Sequence, residues 1–168
     1  MSKIDPSHLV YVDESGMNDN DFYPHVYAAI GQRYYEAHPG HYKKRISMIG
    51  GLCENKFQAP FMFEGHCNTC VFELYLEKIL IPTLTSGMTV VIDNASFHQS
   101  EKIKKLIKSA GCQLVYLPPY SPDLNPIEHW WHKIKTAIRK KMREASVALQ
   151  EAMESSLKQM AICYSATH

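Results

Sequence analysis

Met88-Thr-Val-Val-Ile-Asp-Asn94 is the stretch that decides the fold. Its first five residues carry no charge, and four are β-branched. A short continuous apolar run of this kind is a strand buried on both faces, the type found in parallel sheets. Gly87 precedes it, and an aspartate ends it. In α/β sheets, residues just past the carboxyl ends of strands gather along one edge, where ligands bind. Asp93 is therefore a candidate site residue by position alone.

Toward the C-terminus, residues 98–110 read as a basic amphipathic helix with Ile103, Leu106 and Ile107 on one face, stopped by Gly111. Leu114-Val-Tyr-Leu117 is a second buried strand, halted by Pro118-Pro119. After a loop from Tyr120 to Leu124 comes a helix start: Asn125 as N-cap, Pro126 at the first helical position and Glu128 at the third. Ile127, Trp131, Ile134 and Ile138 follow at helical spacing. A break near Arg143 to Ser146 sets off a last helix over about 146–162. Toward the N-terminus, Asn68 or Thr69 caps a helix running to about Leu80. Arg45–Cys53, His25–Ile30 and His8–Val12 read as strands, with polar Tyr34–Lys44 joining the first two of these. They suggest an antiparallel meander whose first strand ends at Asp13. The order β-β-β-α-β-α-β-α-α predicts an α/β fold, a mixed sheet with helices on both faces.

The chain has 168 residues, 45% hydrophobic, enough for one globular domain and too little for two ordinary ones. No apolar run approaches the roughly 20 residues of a membrane span. The N-terminus lacks the apolar stretch of a secretory signal, so a cytoplasmic protein is expected. Five cysteines at irregular spacing fit reduced thiols better than a disulfide framework. The net charge of +1 predicts no partner, but residues 98–143 hold ten Lys/Arg against three Asp/Glu, while residues 1–30 hold one Lys against five acids. A basic C-terminal half beside an acidic start suggests an anionic partner near an acidic site.

Three carboxylates stand where such a site would form: Asp13 after the first strand, Asp93 after the buried strand, and Glu128 at the start of a helix. If the strands carrying the two aspartates are neighbours, the aspartates lie side by side. Carboxylates that close repel one another, and both stay ionised only with a cation between them. Oxygen ligands without Cys or His favour Mg²⁺ or Mn²⁺, and two such ions about 3.5–4 Å apart support phosphoryl transfer.

The strings VYVDESG, VVIDNASFHQS and LPPYSPDLNPIEHWWHKIK resemble the signatures of DDE transposases, closest to the mariner-like superfamily in its bacterial insertion-sequence branch. Thirty-four residues separate Asp93 from Glu128, a spacing typical of that branch, and Gly31-Gln-Arg33 matches a further short string. The resemblance covers about residues 9–140. It implies a ribonuclease H-like fold with a five-stranded sheet of order 3-2-1-4-5, and two divalent metals held by Asp13, Asp93 and Glu128. It implies hydrolysis of a phosphodiester at a transposon end, then attack of the freed 3′-hydroxyl on target DNA, typically at a TA dinucleotide. Asn94 and His98 match positions often held by these residues, for orienting Asp93 or contacting the DNA backbone. Asn125, Lys133, Lys135 and Arg139 join them as supporting or DNA-contacting candidates, and the protein is expected with the nucleoid when active. Full transposases of this type carry an N-terminal helix-turn-helix region. With Asp13 so early, residues 1–168 are expected to be a single catalytic domain without it. DNA recognition would then fall to a separate upstream product or a homodimeric arrangement.

Plainer readings stand beside these. Asn-x-x-Glu is a helix capping box, so Glu128 has a structural explanation of its own. Adjacent strand residues point to opposite faces, so only one of Asp13 and Glu14 faces the metals, and the motif favours Asp13. His66-Cys67-Asn-Thr-Cys70 lacks the second ligand pair of a zinc site. Trp130 and Trp131 read as core packing rather than base stacking. Residues 133–143 are either a solvated helix face or a phosphate-contacting surface. A nuclease of the same fold acting on hybrids or branched DNA remains open, as does an inactive relic or interaction module.

Overall fold

The computed structural model describes residues 5–18, 44–119 and 121–162. The strand candidate His25–Ile30 and the Gly31-Gln-Arg33 string lie outside the described residues. Five strands form one sheet: β1 (Leu9–Asn18), β2 (Arg45–Cys53), β3 (Lys56–Glu64), β4 (Thr89–Ile92) and β5 (Gln113–Tyr116), in the order β3-β2-β1-β4-β5. β1 pairs antiparallel with β2 and parallel with β4. β4 and β5 are also parallel, joined by α2 (Glu101–Ser109). The expected mixed sheet and strand order are present.

Two strand readings need correction. β1 does not end at Asp13 but runs on to Asn18, because its pairing with β2 continues to Asn18↔Arg45. What stops is the pairing with β4, whose last pair is Val12↔Ile92. Asp13 and Asp93 each follow that pair by one residue, so the two carboxylates are neighbours for a different reason than two coincident strand ends. The second is an omission: no element was expected over residues 56–64, where β3 forms. Its run KFQAPFMFE contains Pro60 and shows no clean alternation, both signs against a strand. Pro60 is tolerated because β3 is an edge strand paired only with β2. The register shifts between Ile49 and Gly51, and Ala59 takes a positive φ of 51°, the mark of a bulge. The β2–β3 hairpin turns on Glu54 and Asn55, both at positive φ (46° and 62°), the type I′ geometry that suits a two-residue loop.

The helices cover both faces. α1 (Thr69–Tyr75) is capped by Asn68, whose side chain accepts from the Val71 N–H at 3.0 Å, and continues as a π-helical turn to Leu80. α2 is capped by Ser100 and buries Ile103 and Ile107. These elements seal one face over Val10, Val12, Ile49, Val90 and Ile92. The other face packs Met17, Ile46, Met48, Leu52 and Phe57 against α3 (Ile127–Ala145) and α4 (Leu149–Ile162). Ser146 in the left-handed conformation (φ 50°) separates α3 from α4. No helix among the described residues is long and apolar enough to cross a membrane.

Candidate active site

β1 alternates across the sheet, so Asp13 faces α3 and Glu14 faces α1 and α2. Asp13 is only 8% exposed. Its Oδ1 accepts from the Glu14 backbone N–H at 2.8 Å. Its Oδ2 accepts from the Trp131 indole N–H at 3.2 Å and the Asn125 amide at 3.4 Å. Burial, reinforced by the negative charges of Glu14, Glu128 and Asp93, pushes its carboxyl up to about 7.

Asp93 is half-buried and sits beyond the end of β4. Its Oδ1 accepts from the Ala95 N–H at 3.1 Å and lies 2.5 Å from His98 Nδ1. The hydrogen bond to His98 outweighs burial and holds Asp93 below the usual carboxylate range. His98 is fully buried between the rings of Phe72 and Phe97, at centroid distances of 4.1 and 4.2 Å. Its Nε2 lies 3.4 Å from Glu14 Oε2. Burial opposes the charged imidazole, but the hydrogen bond with Asp93 and the facing Glu14 carboxylate prevail and raise it to about 9. His98 thus contacts Asp93, as an orienting role would require. Asn94 does not share that role: its Oδ1 accepts from Gln99 Nε2 at 2.6 Å, and the residue lines the cleft.

Glu128 is exposed on the first turn of α3. The capping-box reading fails, because no side chain caps this helix and its N-cap position is Pro126. The Asn125 amide is turned to Asp13 instead, and only the Asn125 backbone carbonyl meets the Glu128 N–H, at 3.2 Å. Asp13, Asp93 and Glu128 line one open cleft of about 410 Å³, together with Asn94, Asn125 and the Leu117-Pro118-Pro119 wall. Of the three basic candidates, Lys135 and Arg139 lie seven and eleven residues after Glu128, within about 20° of its helical face and roughly 10 and 16 Å along the axis. Lys133 departs from that face, and its ammonium sits 5.2 Å from the Trp130 ring centroid.

The donor set suits a hard cation. Burial, and after it the charges of Glu14, Glu128 and Asp93, leaves Asp13 about half protonated at neutral pH, beside Asp93 and Glu128 in the cleft. The field of these acids reaches Cys67, whose thiol is pushed up to about 12 by burial and by Glu14 and Asp93. A divalent ion on carboxylate oxygens relieves their mutual repulsion. Asn125 Oδ1 is a buried oxygen with no hydrogen-bond partner at the same wall. Among the described residues, no three His, Cys, Asp or Glu side chains are already gathered around one point. The acids line the cleft without closing on it.

A family model described as DDE superfamily endonuclease matches residues 8–150. The chain belongs to that family. Among curated relatives of this DDE endonuclease domain, the transposable element Tcb2 transposase of Caenorhabditis briggsae is 37% identical over 73 residues, covering 41% of this chain and 27% of the relative. A pre-cleavage Mos1 transpososome superimposes at a TM-score of 0.61 with 13% identity, over 94% of this chain and 56% of that one. The catalytic core of BIV integrase superimposes at 0.55 with 16% identity, over 90% of this chain and 81% of that one. The fold is ribonuclease H-like, as the resemblance implied. The domain spans between 27% and 61% of the length of the curated relatives it matches.

The sequence reading placed Trp131 in the core and missed its bond to Asp13. A buried indole N–H needs a partner, and Trp131 follows Asn125 and Glu128 at three-residue steps, a spacing that pointed to the site. Gly50 was also missed. It pairs with Asp13 across β1 and β2, and a Cβ there would meet Phe57 Cζ at 2.3 Å. Its bare backbone makes room for the Phe57 ring, which packs edge-on against Trp131 at 5.4 Å.

Proposed function

We propose that this chain is the catalytic domain of a mariner-type DNA transposase, in the insertion-sequence branch of that superfamily. Asp13, Asp93 and Glu128 would hold two Mg²⁺ or Mn²⁺ ions, and the substrates are transposon-end and target DNA. One observation carries the reading: Asp13 and Asp93 follow the last β1–β4 pair, and Glu128 shares their cleft. When bound, two such ions activate an attacking oxygen and stabilise a leaving one in phosphoryl transfer.

The chain's own residues position the reactants. Glu14 N–H, Trp131 and Asn125 fix Asp13. His98 occupies one oxygen of Asp93 and leaves the other for the cleft. Glu128 approaches from α3, and Lys135 and Arg139, in line behind it, take phosphates of the same strand. The Leu117-Pro118-Pro119 wall limits how the backbone enters. The first step hydrolyses a phosphodiester at the transposon end, and the second passes the freed 3′-hydroxyl to target DNA at a TA step.

The test uses the purified chain with Mn²⁺ and a labelled duplex carrying the inverted repeat that flanks its coding sequence. Nicking at the transposon end is expected, with Asp93→Asn reducing it at least 10³-fold, a loss of about 4 kcal/mol of transition-state stabilisation. Equal cleavage by Asp93→Asn would overturn the assignment. Cleavage of RNA–DNA hybrids at the same rate as transposon ends would move the chain to the general nuclease reading.

A further inference from the structure

We propose that Trp131 is a positioning residue for Asp13, using its indole N–H to select which carboxylate oxygen is offered to a cation. The inference rests on the metal-dependent reading above, in which Trp131 helps fix Asp13, and adds which oxygen that contact leaves for the cation. Each carboxylate oxygen has about two lone-pair directions. Oδ2 of Asp13 spends both on Trp131 and Asn125, at 3.2 and 3.4 Å. Oδ1 spends one on the Glu14 N–H at 2.8 Å. One direction of Oδ1 is left for the cleft, so the tether on Oδ2 determines which atom binds.

The chemistry of the donor matters as much as its position. Lysine or arginine on Oδ2 would compete with a cation for the same negative charge. Indole is a neutral, single-donor group, so it orients the carboxylate and leaves its charge available. Its own position is over-determined: Trp131 is 2% exposed, and Phe57 packs on it in the space that Gly50 leaves. Of the two side-chain donors to Oδ2, Trp131 is the closer. It also lies on the helix that carries Glu128. The docking of α3 therefore sets two carboxylates at once, Glu128 directly and Asp13 through the indole.

The test is Mn²⁺ binding by calorimetry on wild type, Trp131→Phe and Asp13→Asn, with thermal midpoints in EDTA. Phenylalanine keeps most of the packing and removes only the N–H. The Mn²⁺ dissociation constant of Trp131→Phe is expected to rise about 10–100-fold, the usual cost of losing an outer-shell hydrogen bond to a ligand. The Mn²⁺ concentration that half-saturates cleavage is expected to rise by the same factor. Equal affinity in wild type and Trp131→Phe overturns this inference and leaves the transposase reading standing. Absence of Mn²⁺ binding by wild type overturns both.

A second measurement needs no variant at that position. The chain has two tryptophans, and a Trp130→Phe variant assigns their indole N–H signals in a ¹⁵N spectrum. Mg²⁺ is expected to move the Trp131 signal in wild type and not in Asp13→Asn. A Trp131 signal indifferent to saturating Mg²⁺ overturns the proposal even if Trp131→Phe fails to fold.

Discussion

Asp13→Asn should make the metal-free protein more stable at alkaline pH while removing its ability to bind metal. The Asp13 carboxyl is pushed from 3.8 to about 7 in the folded chain, first by burial and then by Glu14 and Glu128. A rise of about three units corresponds to about 4 kcal/mol against folding once pH exceeds 7. The folded chain keeps its proton where the unfolded chain has lost it, so this group's contribution to stability falls as pH rises from about 4 through 7. Between pH 5 and pH 8 the loss is about 3 kcal/mol. Asparagine carries no charge, so its folding free energy lacks this component. It also forfeits part of the hydrogen bonding, because an amide that offers its oxygen to Trp131 turns its NH₂ toward the Glu14 N–H, at a cost of about 1–3 kcal/mol. In EDTA, wild type should therefore match or exceed Asp13→Asn at pH 5 and fall behind it at pH 8. Urea unfolding at the two pH values measures both. Adding Mg²⁺ at pH 8 should restore wild type alone, by about 2.7 kcal/mol at 100 times its dissociation constant. Unfolding free energies that run parallel with pH in the two proteins would refute the claim that Asp13 is a repelled, buried acid.

Two further outcomes follow from the packing and the charge. Gly50→Ala places a Cβ 2.3 Å from Phe57 Cζ, so the ring must leave the space beside Trp131; the expected loss is about 1–3 kcal/mol in urea unfolding, together with weaker Mn²⁺ binding, and unchanged stability would show that the ring moves without cost. Lys135→Ala and Arg139→Ala should each lower the slope of log affinity against log salt for duplex DNA by about 1, measured by fluorescence anisotropy. Unchanged slopes would return that helical face to bulk solvent.

How much of this was legible depended on whether a residue's surroundings were local in sequence. The β4 run announced itself because an uncharged, β-branched stretch closed by an aspartate has few other uses. Element order predicted a mixed sheet but left open whether β1 and β4 are neighbours; the family resemblance implied that pairing, and it carried Asp13 to Asp93. β3 was hidden because Pro60 and the bulge at Ala59 break the alternation that identifies a strand, and an edge position forgives both. Asn125 was misread for a related reason: its position fits an N-cap, but a buried carboxylate reached from a strand more than a hundred residues earlier competes for the amide and wins. Trp131 looked like packing because it is packing, and its second role depends on a partner in β1.

β1 is the element on which the two halves of the site meet. Its alternation sends Asp13 toward α3 and Glu14 toward His98, so each neighbouring residue supports a different aspartate from a different face of the sheet. Energetically the two sides are unlike. On the Glu14 side, His98 lies between two carboxylates and the contacts favour folding, which holds Asp93 low and His98 high. On the Asp13 side, burial and neighbouring acids act against folding, and the Glu14 N–H offsets only part of that. A neutral residue in place of Asp13 would remove that opposition at alkaline pH and leave the core around Ile134 and Ile138 in place. Asp13 shares a cleft with Glu128 and Asp93, and Gly50 and Phe57 of the sheet and Trp131 of α3 are packed about it. That combination favours a site that receives a cation over an inactive relic, because at alkaline pH a bound cation would turn this unfavourable carboxylate into a stabilising one.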